Sequence, residues 1–178
     1  MLVFKRLTKV NGFDVRNPAN ARQNSYAWSM AELGDYIYVG TCRNMFLNAT
    51  GFYQANNTLE NSNNQLDNNA EIWRYKKDGT SGWQKVFKAN PSDQITGIRA
   101  MITHKSRYST AIYAASIGEQ AFIFKSTNGV CWEKLDTPEL VGKSSRALAS
   151  FNGRLYVATL EEGLGGNTPH LYVSKDPE

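Results

Sequence analysis

The sequence predicts an all-β protein built from three similar four-stranded antiparallel repeats. Three observations favour this fold. A hairpin pattern occurs three times, a third strand and a turn signal follow each hairpin, and a fourth strand pattern also occurs three times. Short apolar runs separated by turn residues are typical of strands, and recurrence at a regular period indicates a repeat architecture. The 178 residues are expected to form a single domain, 1–178.

Each repeat contains a hairpin, whose strands we name A and B. The stretch 25–41, SYAWSMAELGDYIYVGT, aligns with 144–159, SSRALASFNGRLYVAT, when both end on threonine. The middle copy, 97–116, matches with four additional residues between its two apolar runs. In every copy an apolar run passes through a turn into an alternating run that contains tyrosine. This pattern predicts a β-hairpin.

Strand C follows each hairpin, as EIWRY, AFIFKS and HLYVS, and strand D follows the next turn. The turn signals are Asp78-Gly79, Asn128-Gly129 and Asp176-Pro177. Strand D has an aromatic, a polar or basic residue, a basic residue and an aliphatic residue, in WQKV from Trp83 and WEKL from Trp132. The third repeat lacks a D strand after its turn, but FKRL from Phe4 has the same order.

The repeats are therefore strand-permuted, each beginning with strand D and ending with strand C. They cover 1–75, 83–126 and 132–174, and the first contains a long Asn-rich insertion at 42–70. Consecutive four-stranded antiparallel repeats of this length predict three blades of a β-propeller.

The turn KSTNGVCWEKL resembles the Asp-box repeat of sialidase-type propellers. Ser126, Asn128, Gly129 and Trp132 carry the resemblance, VSKDP is a partial copy, and YKKDGTSGW lacks the serine. The likeness is to the broad class of Asp-box and kelch-like propellers, and it implies a fold and not an activity. The Arg-Ile-Pro motif that sialidases have in common does not occur in this sequence, so sialidase activity is not expected.

Assembly follows from the number of blades. Propellers have four to eight blades, so three cannot close a ring. We expect a homodimer that forms one six-bladed propeller. The N-terminal strand, 3–8, of one chain would pair with the C-terminal strand, 170–174, of the other. The alternative is that the chain is part of a longer propeller with the same permutation.

Composition argues against several classes of protein. The net charge is +4, and the Lys and Arg residues are scattered, so nucleic-acid binding is not favoured. No apolar run reaches the ~18 residues of a membrane helix. The absence of a signal-peptide pattern predicts a cytoplasmic location. His104 and His170 lack neighbouring ligand residues, so neither a metal nor another cofactor is expected. Cys42 and Cys131 are interpreted as buried thiols.

A candidate binding site lies at the start of the innermost strand, A. Trp28, Arg99 and Arg146 occupy the same position of the three repeats, so they should converge at the mouth of the central channel. Guanidinium groups gathered there would attract a carboxylate or a phosphate. The alternative is that each arginine pairs with acidic residues or backbone carbonyls and closes the channel as part of the structure.

The longest loops are predicted to open on the same face as this mouth. They are 11–25 and 42–70, and long loops often carry function. Phe52 and Tyr53 belong to an apolar cluster in the second loop, together with Met45, Phe46 and Leu47. This loop is either a solvated surface segment or a cover over the channel mouth or a subunit contact.

Four charged residues that follow the B strands would rim the same mouth: Arg43, Glu119, Glu161 and Glu162. The function expected from these patterns is non-catalytic, namely binding of a small anion, a sugar or a protein segment at the channel mouth. The alternative is a carbohydrate-active hydrolase or lyase, in which the three glutamates supply a catalytic pair of carboxylates.

Overall fold

The structure is a computed structural model that describes residues 3–45, 67–163, 166–174 and 177. The described residues form eleven strands, one short α-helix and one 3₁₀ turn. The helix α1 is Pro18–Gln23, and the 3₁₀ turn is Pro91–Asp93. The strands are β1 Tyr26–Leu33, β2 Tyr36–Cys42, β3 Glu71–Lys76, β4 Gln84–Lys88, β5 Ile95–Lys105, β6 Thr110–Gly118, β7 Ile123–Ser126, β8 Glu133–Lys134, β9 Ser144–Phe151, β10 Arg154–Gly163 and β11 Gly166–Ser174.

The strands form one open antiparallel sheet that consists of three consecutive meanders. Strands β1 to β4 pair in chain order and form the first unit, strands β5 to β8 the second unit, and strands β9 to β11 the third unit. In the sheet, neighbouring units are linked through the residue pairs Cys42 with Gly97 and Ile117 with Ser144. The all-β class and the antiparallel pairing are confirmed, and the sheet is not closed.

Alternating side chains of each meander point to opposite faces, and both faces of the second unit are buried. Ile112 and Ala114 pack against the first unit, in a cluster that includes Tyr38. Tyr113 and Ala115 pack against the third unit, in a cluster that includes Leu155 and Val157. Because successive residues of a strand face opposite ways, one strand supplies both interfaces.

The N-terminal segment crosses the outer face of the first unit. Phe13 packs there against Val39 and Trp73. Residues 3–8, which were predicted to form a strand with another chain, are in no strand of this chain. The sequence analysis did not predict α1 within the 11–25 loop. Its N-terminus has the residues that helices favour there: Asn17 accepts a hydrogen bond from the N–H of Asn20, and Pro18 is the first helical residue.

A tyrosine of the first unit packs against a turn of the second. Gly129 has a φ of +70°, and its turn is held by hydrogen bonds from its N–H to Ser126 Oγ and from the N–H of Val130 to Asn128 Oδ1. A Cβ atom at Gly129 would lie 1.8 Å from the hydroxyl oxygen of Tyr38. This turn therefore requires glycine both for its backbone and for the space that the tyrosine fills.

We expect Gly129→Ala to destabilise the fold more than Gly153→Ala does. Gly153 has a nearly identical φ of +72°, but no described atom lies within 4 Å of its added Cβ. Both substitutions carry a left-handed backbone cost of about 1–2 kcal/mol. Only Gly129→Ala adds overpacking of about 1–3 kcal/mol. Urea unfolding measures the difference, and equal losses of stability would contradict the contact with Tyr38.

Candidate functional site

The three residues predicted to converge lie on neighbouring strands. Trp28, Arg99 and Arg146 are in β1, β5 and β9, and β5 contacts both of the other strands. The guanidinium carbon of Arg99 lies 4.7 Å from the centroid of the Trp28 ring. Nη1 of Arg99 donates a hydrogen bond to Ser144 Oγ at 3.0 Å. The structure therefore brings Arg99 onto Trp28, beside the start of the strand that carries Arg146.

The electrostatics of this row are those of two neighbouring cations. Burial lowers the pKa of the Arg99 guanidinium from its ordinary value, and the positive charge of Arg146 lowers this pKa further. Cys42 and Glu162 act on the pKa of Arg99 in the opposite direction. Arg99 is half-buried and Arg146 is exposed, and neither forms an ion pair with another described residue. The row thus carries positive charge that the described part of the chain does not pair.

The geometry gives this row a defined chemistry. One N–H of the Arg99 guanidinium is used by Ser144, the guanidinium carbon lies over the indole, and the remaining N–H groups are donors. Such a group, held by stacking, can bind a carboxylate or phosphate in two parallel hydrogen bonds. Ser144 was not singled out from the sequence. The sequence feature from which its role could have been predicted is the pair of serines directly before Arg146.

Arg43 lies elsewhere, in a buried network of charges. Its side chain is fully buried, with Nη1 3.3 Å from Glu71 Oε2 and Nη2 3.5 Å from Asp67 Oδ2. Its Nε donates to the carbonyl oxygen of Asp67 at 2.7 Å. Lys85 Nζ lies 3.0 Å from the other oxygen of Glu71. Asp67 and Glu71 therefore neutralise the charge of Arg43 within the first unit.

Glu71 is the centre of this network, and sequence reasoning missed it. Its fully buried carboxylate accepts hydrogen bonds from Asn20 at 3.3 Å, from Asn24 at 2.9 Å and from the indole N–H of Trp73 at 2.9 Å. Thr41 donates to Asn24 and so extends the network to β2. Because α1 supplies Asn20 and is followed by Asn24, this one carboxylate fastens the long 11–25 loop to the first unit.

Glu119 directly follows β6, whereas Glu161 and Glu162 lie near the end of β10, and the contacts of the three glutamates differ. Glu119 is exposed and lies 3.4 Å from Lys143, and Glu161 lies 3.0 Å from His170. Glu161 and Glu162 are consecutive in β10, so their side chains leave opposite faces of the strand. Of the three glutamates, Glu162 is the one whose negative charge raises the pKa of Arg99.

Phe52 and Tyr53 lie outside the described residues, as do Phe46, Leu47 and Asp176. The two cysteines are free thiols in different surroundings. Burial raises the pKa of Cys42 to about 12, which keeps this thiol protonated at neutral pH. The prediction of a buried thiol is wrong for Cys131. Cys131 is exposed because it lies in the turn between β7 and β8, where its backbone N–H donates to Asn128 Oδ1.

Comparison with known proteins gives no further assignment. No protein-family model matches the chain, and no curated protein matches it. Among the described residues, no group of three or more His, Cys, Asp or Glu side chains is gathered as metal ligands are. In the same part of the chain, no helix has both the length and the apolar character needed to cross a membrane.

We expect Glu71→Gln to destabilise the protein strongly. The amide keeps the shape of the side chain but leaves the buried Arg43 without its closest carboxylate. Loss of one partner of a buried pair costs about 3–5 kcal/mol. Urea unfolding measures the loss. Glu32→Gln is the matched control, because the ion pair of Glu32 with Lys77 is exposed and such pairs contribute little. Equal effects of the two substitutions would contradict the role of the network.

Proposed function

We propose that this chain is a half-propeller whose channel mouth binds a small anion. In this proposal the three units are blades of an Asp-box-like β-propeller, and three blades of a second copy complete a six-bladed ring. Trp28, Arg99 and Arg146 of both copies then surround one mouth. The ligand carries a carboxylate or a phosphate, and the protein binds it without catalysing a reaction.

One observation carries the binding proposal. Arg99 is oriented by stacking on Trp28 and by Ser144, lies close enough to Arg146 to be affected by its charge, and has no ion-pair partner among the described residues. Two like charges held side by side repel one another, and an anion between them would relieve that repulsion. Arg43 provides the contrast, because its charge is neutralised by Asp67 and Glu71.

The propeller part of the proposal is supported by the connectivity. Each complete unit is a four-stranded meander, and the first strands of neighbouring units lie side by side. The hydrogen bonds of Ser126 and Asn128 within their turn are compatible with the resemblance to an Asp box. The rival arrangement, in which further blades belong to a longer form of the same chain, would place the same arginine row at its channel.

The alternative of a carbohydrate-active hydrolase or lyase gains no support from the geometry. A glycosidase needs two carboxylates that face one another across the substrate. Glu161 and Glu162 leave opposite faces of one strand, and Glu119 and Glu161 are engaged by Lys143 and His170.

We expect phosphate and citrate to bind the protein at low ionic strength and to raise its melting temperature. Arg99→Gln and Arg146→Gln should each weaken binding by roughly 10–100-fold, since a hydrogen bond between charged groups contributes about 1.5–3 kcal/mol. Isothermal titration calorimetry measures the affinities. Low salt is needed because screening weakens an exposed cationic site.

Arg107→Gln is the matched control for this experiment. It removes the same charge from an exposed position at the other end of the second unit, between β5 and β6, and should leave the affinity unchanged. Equal weakening by all three substitutions would mean that anions respond to net charge alone. Absence of binding to the unmodified protein would contradict the proposed function directly.

A further inference from the structure

Both interfaces between units use the same tyrosine position. Tyr38, Tyr113 and Tyr156 are equivalent residues of the B strands in the first, second and third units. Tyr38 packs edge-on against Trp132, with ring centroids 6.4 Å apart, and fills the space beside Gly129. The hydroxyl of Tyr113 donates to the carbonyl oxygen of Pro177, which follows the last strand of the third unit. Tyr38 and Tyr113 therefore each contact residues that follow the third strand of the next unit.

Tyr156 lies on a face that the described chain leaves uncovered. Register places it opposite Ala149 and Val173, and its neighbour Ala158 opposite Ala147 and Leu171. Leu171 is 74% exposed, and Phe151, at the edge of the same sheet, is 68% exposed. We call this apolar surface the open face of the third unit. The equivalent faces of the first and second units are covered by their neighbours.

Tyr38 of the first unit packs beside Gly129 and Trp132 of the second unit. At the equivalent position the first unit has a cleft. Gly79 and Trp83 correspond to Gly129 and Trp132, and both line a surface cleft of about 810 Å³ together with Phe13 and Tyr75. We call it the first-unit cleft. Met30 lies on the same side of the first unit and is 68% exposed. Its counterpart in the second unit, Met101, is covered by the first unit and is 9% exposed. Among the described residues, no further unit covers the first unit on the side where the second and third units have a neighbour.

The N-terminal segment already lies where the last strand of that missing neighbour would be. Trp132 packs against Phe87, which follows Val86 in the outermost strand of the first unit. Leu7 is the counterpart of Val86 in the strand D pattern, and its carbonyl oxygen accepts a hydrogen bond from Trp83 at 3.3 Å. Residues 3–8 therefore contact Trp83, and the outermost strand of the first unit contacts Trp132, although the first contact is a hydrogen bond and the second a ring contact.

We infer that the first-unit cleft is the receptor for Tyr156 of a second copy of this chain. The outer edge of β11 is unpaired in the described chain, and residues 3–8 of the second copy would lie beside it. Because each copy offers one open face and one cleft, the contact is self-complementary and forms twice about a two-fold axis. This inference rests on the dimeric propeller of the proposed function and adds the residues that hold its two halves together.

The second copy is favoured over other occupants because the chain supplies both partners of the contact. The contacts of Tyr38 and Tyr113 show what a C–D turn accepts from the preceding unit, and Tyr156 carries the same side chain in the same register. Leu7 also lines the cleft and accepts a hydrogen bond from Trp83, so an unrelated partner would have to fit beside an N-terminal segment that this chain already places there.

The experiment measures mass by light scattering over a range of protein concentrations. The unmodified protein should have twice the 19.9 kDa chain mass. Tyr156→Arg, which puts a charge on the open face, should raise the dimer dissociation constant by at least about tenfold, as expected for a central aromatic contact. Tyr108→Arg is the matched control, because Tyr108 is 70% exposed in the turn between β5 and β6, and should remain dimeric.

Gly82→Arg tests the cleft independently. Gly82 lines the cleft, and no described atom lies within 4 Å of an added Cβ, so the substitution should leave the chain folded and only obstruct the cleft. If Tyr156→Arg unfolds, Gly82→Arg carries the test alone. Where both variants fold, mixing them should restore dimers, since a mixed dimer contains one contact in which both the tyrosine and the cleft are unaltered.

The outcomes separate this inference from the proposed function. Dimers that persist unchanged in both variants would overturn the role of Tyr156 and the cleft but leave a dimeric propeller standing. A folded 19.9 kDa monomer of the unmodified protein would overturn both the inference and the dimeric part of the proposed function. Deletion of residues 1–8 should also weaken the dimer, and a dimer of unchanged stability after this deletion would contradict the added strand.

Discussion

Each meander of this protein has apolar side chains on both faces, so each needs a neighbour on either side. Burial of such side chains is the main favourable term in folding, at roughly 25 cal/mol per Å². The second unit meets this requirement fully, with Ile112 buried against the first unit and Tyr113 against the third. Within the described residues, the other two units have a neighbouring unit on one side. The order of the units, the position of the N-terminal segment and the exposed apolar residues all follow from this constraint.

On its outer side the first unit is partly covered by apolar and polar contacts of the 11–25 loop. Phe13 covers Val39 and Trp73, and Glu71 gathers the side chains that hold the 11–25 loop in place. A buried carboxylate is costly unless it is paired and hydrogen-bonded, and here amide and indole donors join Arg43 and Lys85 in satisfying it. The network fixes a loop that apolar packing alone would hold weakly.

Much of the strand order could be predicted because it depends on local patterns. Alternation around Tyr38 and Tyr156, and turn residues such as Asn128-Gly129, are visible within a few positions of the chain. The roles of Arg43 and Glu71 could not be predicted in this way. Several of their partners are distant in the chain, such as Asn20, which lies 51 positions from Glu71, and only the fold brings a lone glutamate in β3 to Asn20 and Arg43. Asn17-Pro18 was a local signal for the start of α1, but a helix of six residues is too short to show a clear helical periodicity in the sequence.

The contrast between Arg43 and Arg99 shows how position in the strand order determines the use of a charge. Arg43 follows a B strand, next to β3, where a buried carboxylate neutralises it. Arg99 lies on a first strand of a unit, whose neighbours are the first strands of the other units, and these offer Trp28, Ser144 and a second arginine. Strands that meet in this way repeat one sequence position side by side. An arginine that occurs in two repeats therefore comes close to its counterpart, and this arrangement is the basis of our proposal that an external anion supplies the missing negative charge.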